Sequence, residues 1–310
     1  MTTEYPDLHN AFSSDSNDKA FKSLVQKATQ GDAVAQLDLG LCYYNGHGVM
    51  KDYEKASYWY IKSAKQGNAT ALVNLGLCCE KCYGVEKELQ KAAEWYIKSA
   101  EQEDAAAQNN LGVCYEHGWG VEQDSEKSIE WWTKATEQGY AEAQYNLGLC
   151  YENGWGVERD DKKSVEWYMK AAKQGHAEAQ YSLGTCYQWG QGVRQDYKKT
   201  IEWWTKAAEQ GHVEAQYDVG NCYEWGQGVR LDYEKAVKWY TFAAEQGNSW
   251  AQFALGRCYE NGWGVKHDYE KAVKWYAFAA EQGHAKAQST LDSLLRGGEE
   301  VKQDSEKAAE

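Results

Sequence analysis

The chain has 310 residues, 43% of them hydrophobic, and carries a formal net charge of -14 at pH 7. This charge disfavours nucleic acid and anionic lipid surfaces as partners, because nonspecific binding to either requires clustered lysine and arginine side chains. The sequence has no run of about 18 apolar residues and no basic stretch followed by an apolar one, so it predicts neither a membrane insertion nor a secretory signal.

The first predicted elements precede the regular part of the chain. Residues 1–16 are polar and include Pro6, the only proline, and we expect them to be disordered. The segment from Asp18 to Thr29 has the pattern of the second helix of the repeat described next, and we interpret it as an N-terminal capping helix.

A repeat of 36 residues follows, without insertion or deletion. Each repeat ends in a glycine, with Glu103 as the exception, at Gly31, Gly67, Gly139, Gly175, Gly211, Gly247 and Gly283. Within one repeat, Ala141–Asn153 has the apolar spacing of an amphipathic helix, here helix A, and Asp160–Gln174 has that of a second one, helix B. Gly154 and Gly156 lie between them, so the repeat is predicted to be a helical hairpin.

Neither helix buries its apolar stripe alone, so successive hairpins are predicted to stack into an all-α, right-handed superhelical solenoid. We assign residues 17–296 to a single solenoid of seven full hairpins. A last helix A, Ala285–Leu295, is interpreted as a C-terminal cap, and residues 297–310 as a degenerate or truncated further repeat. Near-constant columns of paired aromatic residues in helix B, such as Trp167 and Tyr168, are predicted to form the core.

Cysteine also occupies one column, once per repeat on the apolar stripe of helix A, where it is expected to pack as a small hydrophobe. This spacing does not suggest local disulfide pairs, which favours the cytoplasm. Cys78, Cys79 and Cys82 form the one local cluster, and a thiol- or metal-dependent activity there is a minor alternative. No phosphate-binding loop and no catalytic constellation is recognisable, so we expect neither an enzyme nor a bound cofactor or metal.

The motifs Asp268–Gly283, Ala251–Tyr259 and Asn261–Val265 resemble the Sel-one-like repeat family, within the tetratricopeptide superfamily of α/α solenoids. The resemblance covers about residues 17–296. It implies a scaffold or adaptor role, with the regulatory subunit of a partner enzyme as the alternative. It also implies that the face of helix A carrying the positions that vary between repeats lines a concave, peptide-binding groove.

Three variable columns of helix A share that face. The residues predicted to contact a partner are Glu142, Tyr145, Leu149, Glu178, Tyr181, Thr185, Glu214, Tyr217, Asn221, Trp250, Phe253 and Arg257. The carboxylates and aromatic rings favour a basic or aromatic-containing protein segment. The open alternative is that Tyr145, Tyr181 and Tyr217 only pack against the adjacent helix A. Trp189 and Trp225 are predicted to cover the hairpin turns.

Overall fold

The computed structural model describes residues 14–294, which form α-helices joined by turns, with no β-strand in that range. Helix A of the seven repeats is α2 (Ala33–Asn45), α4 (Ala69–Lys81), α6 (Ala105–His117), α8 (Ala141–Asn153), α10 (Ala177–Trp189), α12 (Val213–Trp225) and α14 (Ser249–Asn261). Helix B is α3 (Tyr53–Ala64), α5 (Leu89–Ala100), α7 (Ser125–Glu137), α9 (Asp161–Lys173), α11 (Tyr197–Glu209), α13 (Tyr233–Glu245) and α15 (Tyr269–Glu281).

Two further helices flank the seven hairpins. Helix α1 (Ser14–Thr29) comes first, and α16 begins at residue 285 and is described to residue 294. The predicted all-α class and the seven helical hairpins are confirmed. Residues 14–16, assigned above to the disordered segment, are helical, whereas residues 1–13 and 297–310 lie outside the described part of the chain. None of the described helices combines the length and apolar character that a membrane crossing requires.

The chain divides into two compact units, which meet in sequence inside α9, between Ala171 and Ala172. Unit 1 contains α1 to α8 and most of α9, and unit 2 contains α10 to α16. In each unit, consecutive helices pack as predicted, helix A on helix B of its own repeat and helix B on helix A of the next.

Turn chemistry sets the ends of the helices. Gly154, with a φ of 74°, and Gly156, with a φ of 65°, adopt the left-handed conformation predicted for the A–B turn. Asp160 then caps α9, because its Oδ1 accepts the backbone amides of Lys162 and Lys163, both at 3.1 Å.

The hairpins are held together by a glycine on helix A and an aromatic ring on helix B. A Cβ atom on Gly148 would lie 2.5 Å from Cδ1 of Tyr168, so only glycine lets α8 approach that ring. The ring itself is fully buried. The same arrangement recurs in the other six hairpins, which explains the glycine column of helix A.

Only one member of each aromatic pair belongs to the core. The second member is buried in all seven repeats, but the first is half-buried, so the prediction that both are core residues is wrong for the first. Trp167 is typical, because the Nζ atom of Lys170 lies 3.6 Å from the centre of its ring. The half-buried first ring therefore lies between the core and the solvent, and a lysine side chain covers its outer face.

Hydrogen bonds of glutamine side chains, one buried on helix A and one exposed at the end of helix B, join successive repeats, and the repeat pattern did not predict them. In unit 2, Gln216 Nε2 donates to the carbonyl of Ala208 at 3.1 Å, and Gln246 Nε2 donates to Gln216 Oε1 at 2.7 Å. The carbonyl at the end of one helix B is thus tied to helix A and helix B of the next repeat. This bonding satisfies polar groups that would otherwise be buried without partners.

The second repeat contains the two non-glycine residues that adopt positive φ in the described chain, Cys82 at 61° and Glu103 at 63°. Both occupy positions that hold glycine in the other repeats. Helix α4 nevertheless has the same length as the other helices A, 13 residues. The two substitutions therefore place non-glycine side chains on left-handed backbone, which is unfavourable for them.

Candidate functional site

The side chains that vary between repeats lie on one face of helix A, which we call the helix-A face. In α8 it is defined by Glu142, Tyr145 and Leu149. Asn146 and Asn153 belong to the same face by helical spacing, because residues three, four, seven and eleven positions apart fall within about one third of the helix circumference. Equivalent positions in the other helices A define the face in each repeat.

In unit 1 the helix-A face forms an open groove of about 810 Å³, here called the unit-1 groove. Its aliphatic lining includes Leu41, Val73, Leu77, Ala106 and Val113, and aromatic rings such as Tyr44 and Trp119 also contribute. Its polar lining includes Thr70, Asn74, Glu80, Lys81, Asp104, Asn109, Asn110 and Glu142. The groove joins consecutive helices A, so its floor is built from positions that the repeat leaves free to vary.

The three predicted contact residues of unit 1 have different surroundings. Glu142 lines the unit-1 groove. The ring of Tyr145 lies 5.7 Å, centre to centre, from that of Tyr168, and both Tyr145 and Leu149 are half-buried. Tyr145 therefore contributes packing against helix B of its own hairpin, whereas the alternative left open above was packing against the adjacent helix A.

Tyr181 in unit 2 is also tied to its neighbours. Its ring lies 4.5 Å from the His212 ring and 5.9 Å from the Trp204 ring, and its hydroxyl donates to Asp218 Oδ2 at 2.9 Å. Thr185 Oγ1 donates back to the Tyr181 carbonyl at 3.1 Å. These contacts connect α10, α11 and α12, so Tyr181 acts as a joint between repeats.

Asp218 is the partner that makes this joint sensitive to charge. Burial, with a smaller contribution from the nearby Glu214 carboxylate, raises the pKa of its carboxyl group to about 6, although hydrogen bonds from Tyr181 and Asn221 oppose the shift. In unit 1 the equivalent residue is Asn146, whose Nδ2 donates to Asn109 Oδ1 at 3.0 Å. The two units thus close the same inter-repeat gap with different chemistry.

Arg257 is paired with a buried carboxylate. Its guanidinium forms an ion pair with Glu224, which is only 4% exposed, and it lies 5.3 Å from the Trp263 ring. The Tyr240 hydroxyl contacts the same carboxylate and also lies 2.8 Å from Asn221 Oδ1. Because the Glu224 carboxylate neutralises the guanidinium, Arg257 contributes to the local structure of the helix-A face and little to the net charge of that face.

Tyr217 completes this cluster. Its ring lies 5.9 Å from that of Tyr240, and burial raises the pKa of its phenol. The structure therefore brings together three of the predicted contact residues, Tyr217, Asn221 and Arg257, around Glu224, which was not among the predicted residues. The signal for Glu224 was a near-constant glutamate column in helix A, facing the buried tyrosine of helix B.

At the last described repeat the face is aromatic. Trp250 is 54% exposed and meets the His284 ring edge to face at 4.4 Å, and the Phe253 ring stacks on the same His284 ring at 4.8 Å. His284 Nδ1 accepts the Ala287 amide at 3.1 Å and caps α16. Burial lowers the pKa of His284, so the neutral imidazole that this cap requires is favoured.

The carboxylates of Glu178 and Glu214 project into solvent, with side chains that are 59% and 65% exposed. His212 lies between them, with Nε2 at 3.1 Å from Glu178 Oε2. Its Nδ1 accepts the Ala215 amide, so Nε2 carries the proton and donates to Glu178. These two glutamates are thus the most exposed of the predicted carboxylates.

Two tryptophans on this face are exposed rather than folded over the turns. Trp189 and Trp225 end α10 and α12 and are 67% and 63% exposed, so the prediction that they cover the hairpin turns is wrong. Trp189 lies four residues after Thr185 and eleven after Glu178, which places it on the helix-A face. That spacing was available in the sequence and would have identified both residues.

The cysteine cluster has the character of packing residues. Cys78 and Cys79 are buried and Cys82 is exposed, and burial raises the pKa of Cys78 to about 12. A buried, protonated thiol is a poor nucleophile and a poor metal ligand. Within residues 14–294 there is no group of three His, Cys, Asp or Glu side chains suited to hold a metal ion.

The sequence model of the Sel1 repeat matches seven consecutive segments of the chain, residues 33–68, 69–104, 105–140, 141–176, 177–212, 213–248 and 251–284. These segments cover most of the described residues, and their boundaries coincide with the helical hairpins. No protein of curated function matches the chain.

Solved structures of similar proteins have the same fold. A protective antigen of uropathogenic Escherichia coli strains, which displays an SLR fold, is 38% identical with a TM-score of 0.73 over 90% of this chain. The chain spans 60% of that antigen's length. A Sel1 repeat protein from Oxalobacter formigenes is 34% identical with a TM-score of 0.71, covering 92% of this chain and 83% of its own.

Proposed function

Because the chain belongs to the Sel1 repeat family, whose repeats generally serve as non-catalytic scaffolds for protein–protein interaction, we propose that it binds a segment of another protein on its helix-A face. Repeat solenoids present extended surfaces of this kind to their partners. The observation that carries the proposal is the unit-1 groove, an open channel of about 810 Å³ lined by side chains that differ from repeat to repeat.

The dimensions of the unit-1 groove suit a peptide segment. Most of its lining residues come from the four helices A of unit 1, α2, α4, α6 and α8. With neighbouring helices about 8–10 Å apart, it spans roughly 25 Å, the length of about eight extended residues. Leu41, Leu77 and Val113 offer apolar contacts, while the amides of Asn74 and Asn110 can bond a partner backbone.

Charge favours a basic segment. Glu80 and Glu142 line the unit-1 groove, and Lys81, its one basic lining residue, is paired with Glu80 at 2.7 Å. On the helix-A face of unit 2, Glu178 and Glu214 are exposed. Apart from the exposed Trp250, we assign the other residues predicted above on this face, including Tyr181 and Tyr217, to its floor, where their packing sets its shape.

The test uses substitutions copied from other repeats of the same chain. Leu77→Asn and Val113→Thr place in the unit-1 groove the residues that this column carries in unit 2, at Asn221 and Thr185. Affinity capture from source cells, followed by lysine cross-linking and mass spectrometry, should recover proteins cross-linked to Lys81. The double variant should lose them while its circular dichroism spectrum is unchanged.

Tyr58→Glu is the matched control. Tyr58 lies on helix B, is 52% exposed, and occupies a column that holds glutamate in the next four repeats. It should leave the cross-linked partners unchanged. If the groove variant and the control recover the same proteins at the same yield, the unit-1 groove is not the binding surface.

A further inference from the structure

We propose that Trp189 and Trp225, here called the tryptophan pair, bind the cationic side chains of a partner segment, with arginine preferred over lysine. The inference rests on the proposed function and deepens it, because it names the chemistry that the helix-A face of unit 2 recognises. It assigns a role to two residues that the packing of the repeats does not use.

The exposure of the tryptophan pair needs an explanation. Both side chains are about two-thirds exposed, and neither makes a ring contact in the described part of the chain. Two of the turn tryptophans do have ring contacts, since Trp119 lies 4.8 Å from the His117 ring and Trp263 stacks on Tyr233 at 5.7 Å. Large aromatic side chains left exposed at equivalent positions of consecutive repeats are typical of an interaction site.

Position makes the two rings act as a pair. Each ends helix A in its repeat, and successive helices A lie about 10 Å apart. A planar group stacked between two rings requires about 7–8 Å, twice the contact distance of carbon atoms, so side-chain rotation can close the pair on one guanidinium. The same spacing also lets each ring take a separate cationic side chain from an extended segment.

Charge selects a cation as the occupant. The helix-A face of α10 carries Glu178, Ser182, Thr185 and Trp189, and that of α12 carries Glu214, Asp218, Asn221 and Trp225. Neither set contains lysine or arginine. The carboxylates at the start of each helix and the indole faces at its end both attract positive charge, and arginine stacks on indole better than lysine because its guanidinium is planar.

Other repeats supply a substitution that removes the rings without disturbing the fold. Asn153 and Asn261 occupy the same position as the tryptophan pair, and their amides donate to the carbonyls of Leu149 and Arg257 at 3.0 and 2.9 Å. Trp189→Asn with Trp225→Asn therefore introduces a residue that this helix end already accommodates. It leaves the net charge unchanged.

The experiment titrates the full chain with two synthetic peptides of equal length and charge, in which glycine alternates with arginine or with lysine, by calorimetry and tryptophan fluorescence. The arginine peptide should bind more tightly and quench the fluorescence. The double asparagine variant should bind the arginine peptide about tenfold more weakly, as expected for the loss of two cation–π contacts, and should no longer distinguish it from the lysine peptide.

Trp155→Gln is the matched control, because Trp155 is a 47% exposed turn tryptophan of unit 1 whose position holds glutamine at Gln191 and Gln227. It should bind both peptides as the native chain does. Equal affinity of the native and double-asparagine chains for the arginine peptide would overturn the proposal, since that binding would be due to net charge alone. The proposal would also be overturned if a proline-rich peptide bound the native chain more tightly than the arginine peptide does. A failure here leaves the Lys81 cross-links of the unit-1 groove unaffected, so the two proposals fail separately.

Discussion

The helix-A face differs between the two units although the repeat frame beneath it is the same. In unit 1 it is an apolar groove with amide side chains, in which Asn146 contacts Asn109. In unit 2 the same positions carry tyrosines, carboxylates and an arginine that bond one another, such as Tyr181 with Asp218. One set of backbone positions thus supports neutral packing in one unit and charged networks in the other.

This difference distinguishes the residues that maintain the fold from those that set the chemical character of the helix-A face. Glycine at Gly148 and a ring at Tyr168 recur because the hairpin cannot close without them. The positions of Leu149 and Arg257 are equivalent, yet one carries an aliphatic and the other a guanidinium group. Variation between repeats therefore marks where packing leaves the side chain free for function.

The largest expected effect comes from converting the charged face of unit 2 towards that of unit 1. Arg257→Leu copies the residue at Leu149 and leaves the buried carboxylate of Glu224 without its cation. We expect the free energy of unfolding to fall by about 3 kcal/mol, measured by urea denaturation, with hydrogen exchange locating the loss in α12 to α14. Adding Glu224→Gln should restore most of the stability, and an Arg257→Leu chain as stable as the native one would contradict this account.

A smaller effect, with a defined pH dependence, is expected from Asp218→Asn, which copies Asn146. The folded-state pKa of Asp218, about 6, exceeds its ordinary value of 3.8, so between these values the folded chain binds a proton that the unfolded chain lacks. The contribution of Asp218 to stability therefore decreases as pH rises from about 4 to 6, and stays low above that.

Asp218→Asn should consequently raise the thermal midpoint at pH 7.5 and leave it unchanged at pH 4. Melts of both chains across this range, followed by circular dichroism, provide the measurement. The control is Asn146→Ser, which introduces into unit 1 the serine that unit 2 carries at Ser182. It should shift the melting curve equally at all pH values. If the difference in thermal midpoint between the native chain and Asp218→Asn does not depend on pH, Asp218 does not titrate in this window.

The smallest expected effect concerns backbone conformation. Glu103 in unit 1 has a φ of 63°, where the other repeats have glycine, so Glu103→Gly should stabilise the chain by about 1 kcal/mol. The reverse change in unit 2, Gly211→Glu, should destabilise it by a similar amount, since no neighbour lies within 4 Å of a Cβ atom there and only φ opposes it. Equal stability of both variants and the native chain in urea denaturation would exclude strain at this turn.

Much of the fold could be predicted because its signals are local and repeated. The bounds of α8, Ala141–Asn153, and the left-handed turn at Gly154 and Gly156 follow from apolar spacing and glycine positions within a single repeat. The predicted contact residues also share a face, as helical spacing requires. Their partners were not predictable, because the contact of Tyr181 with Asp218 joins residues 37 positions apart in sequence.

The sequence by itself determined the number of hairpins, their helix ends and the face on which variation collects, since each depends on interactions within about ten residues. The tertiary structure decided which of the variable side chains pack against other residues and which remain in solvent. Tyr181 and Arg257 bond residues of neighbouring repeats, whereas Glu178 and Trp189 are exposed. Burial depends on what the adjacent repeat presents, so only the stacked helices could separate the two groups.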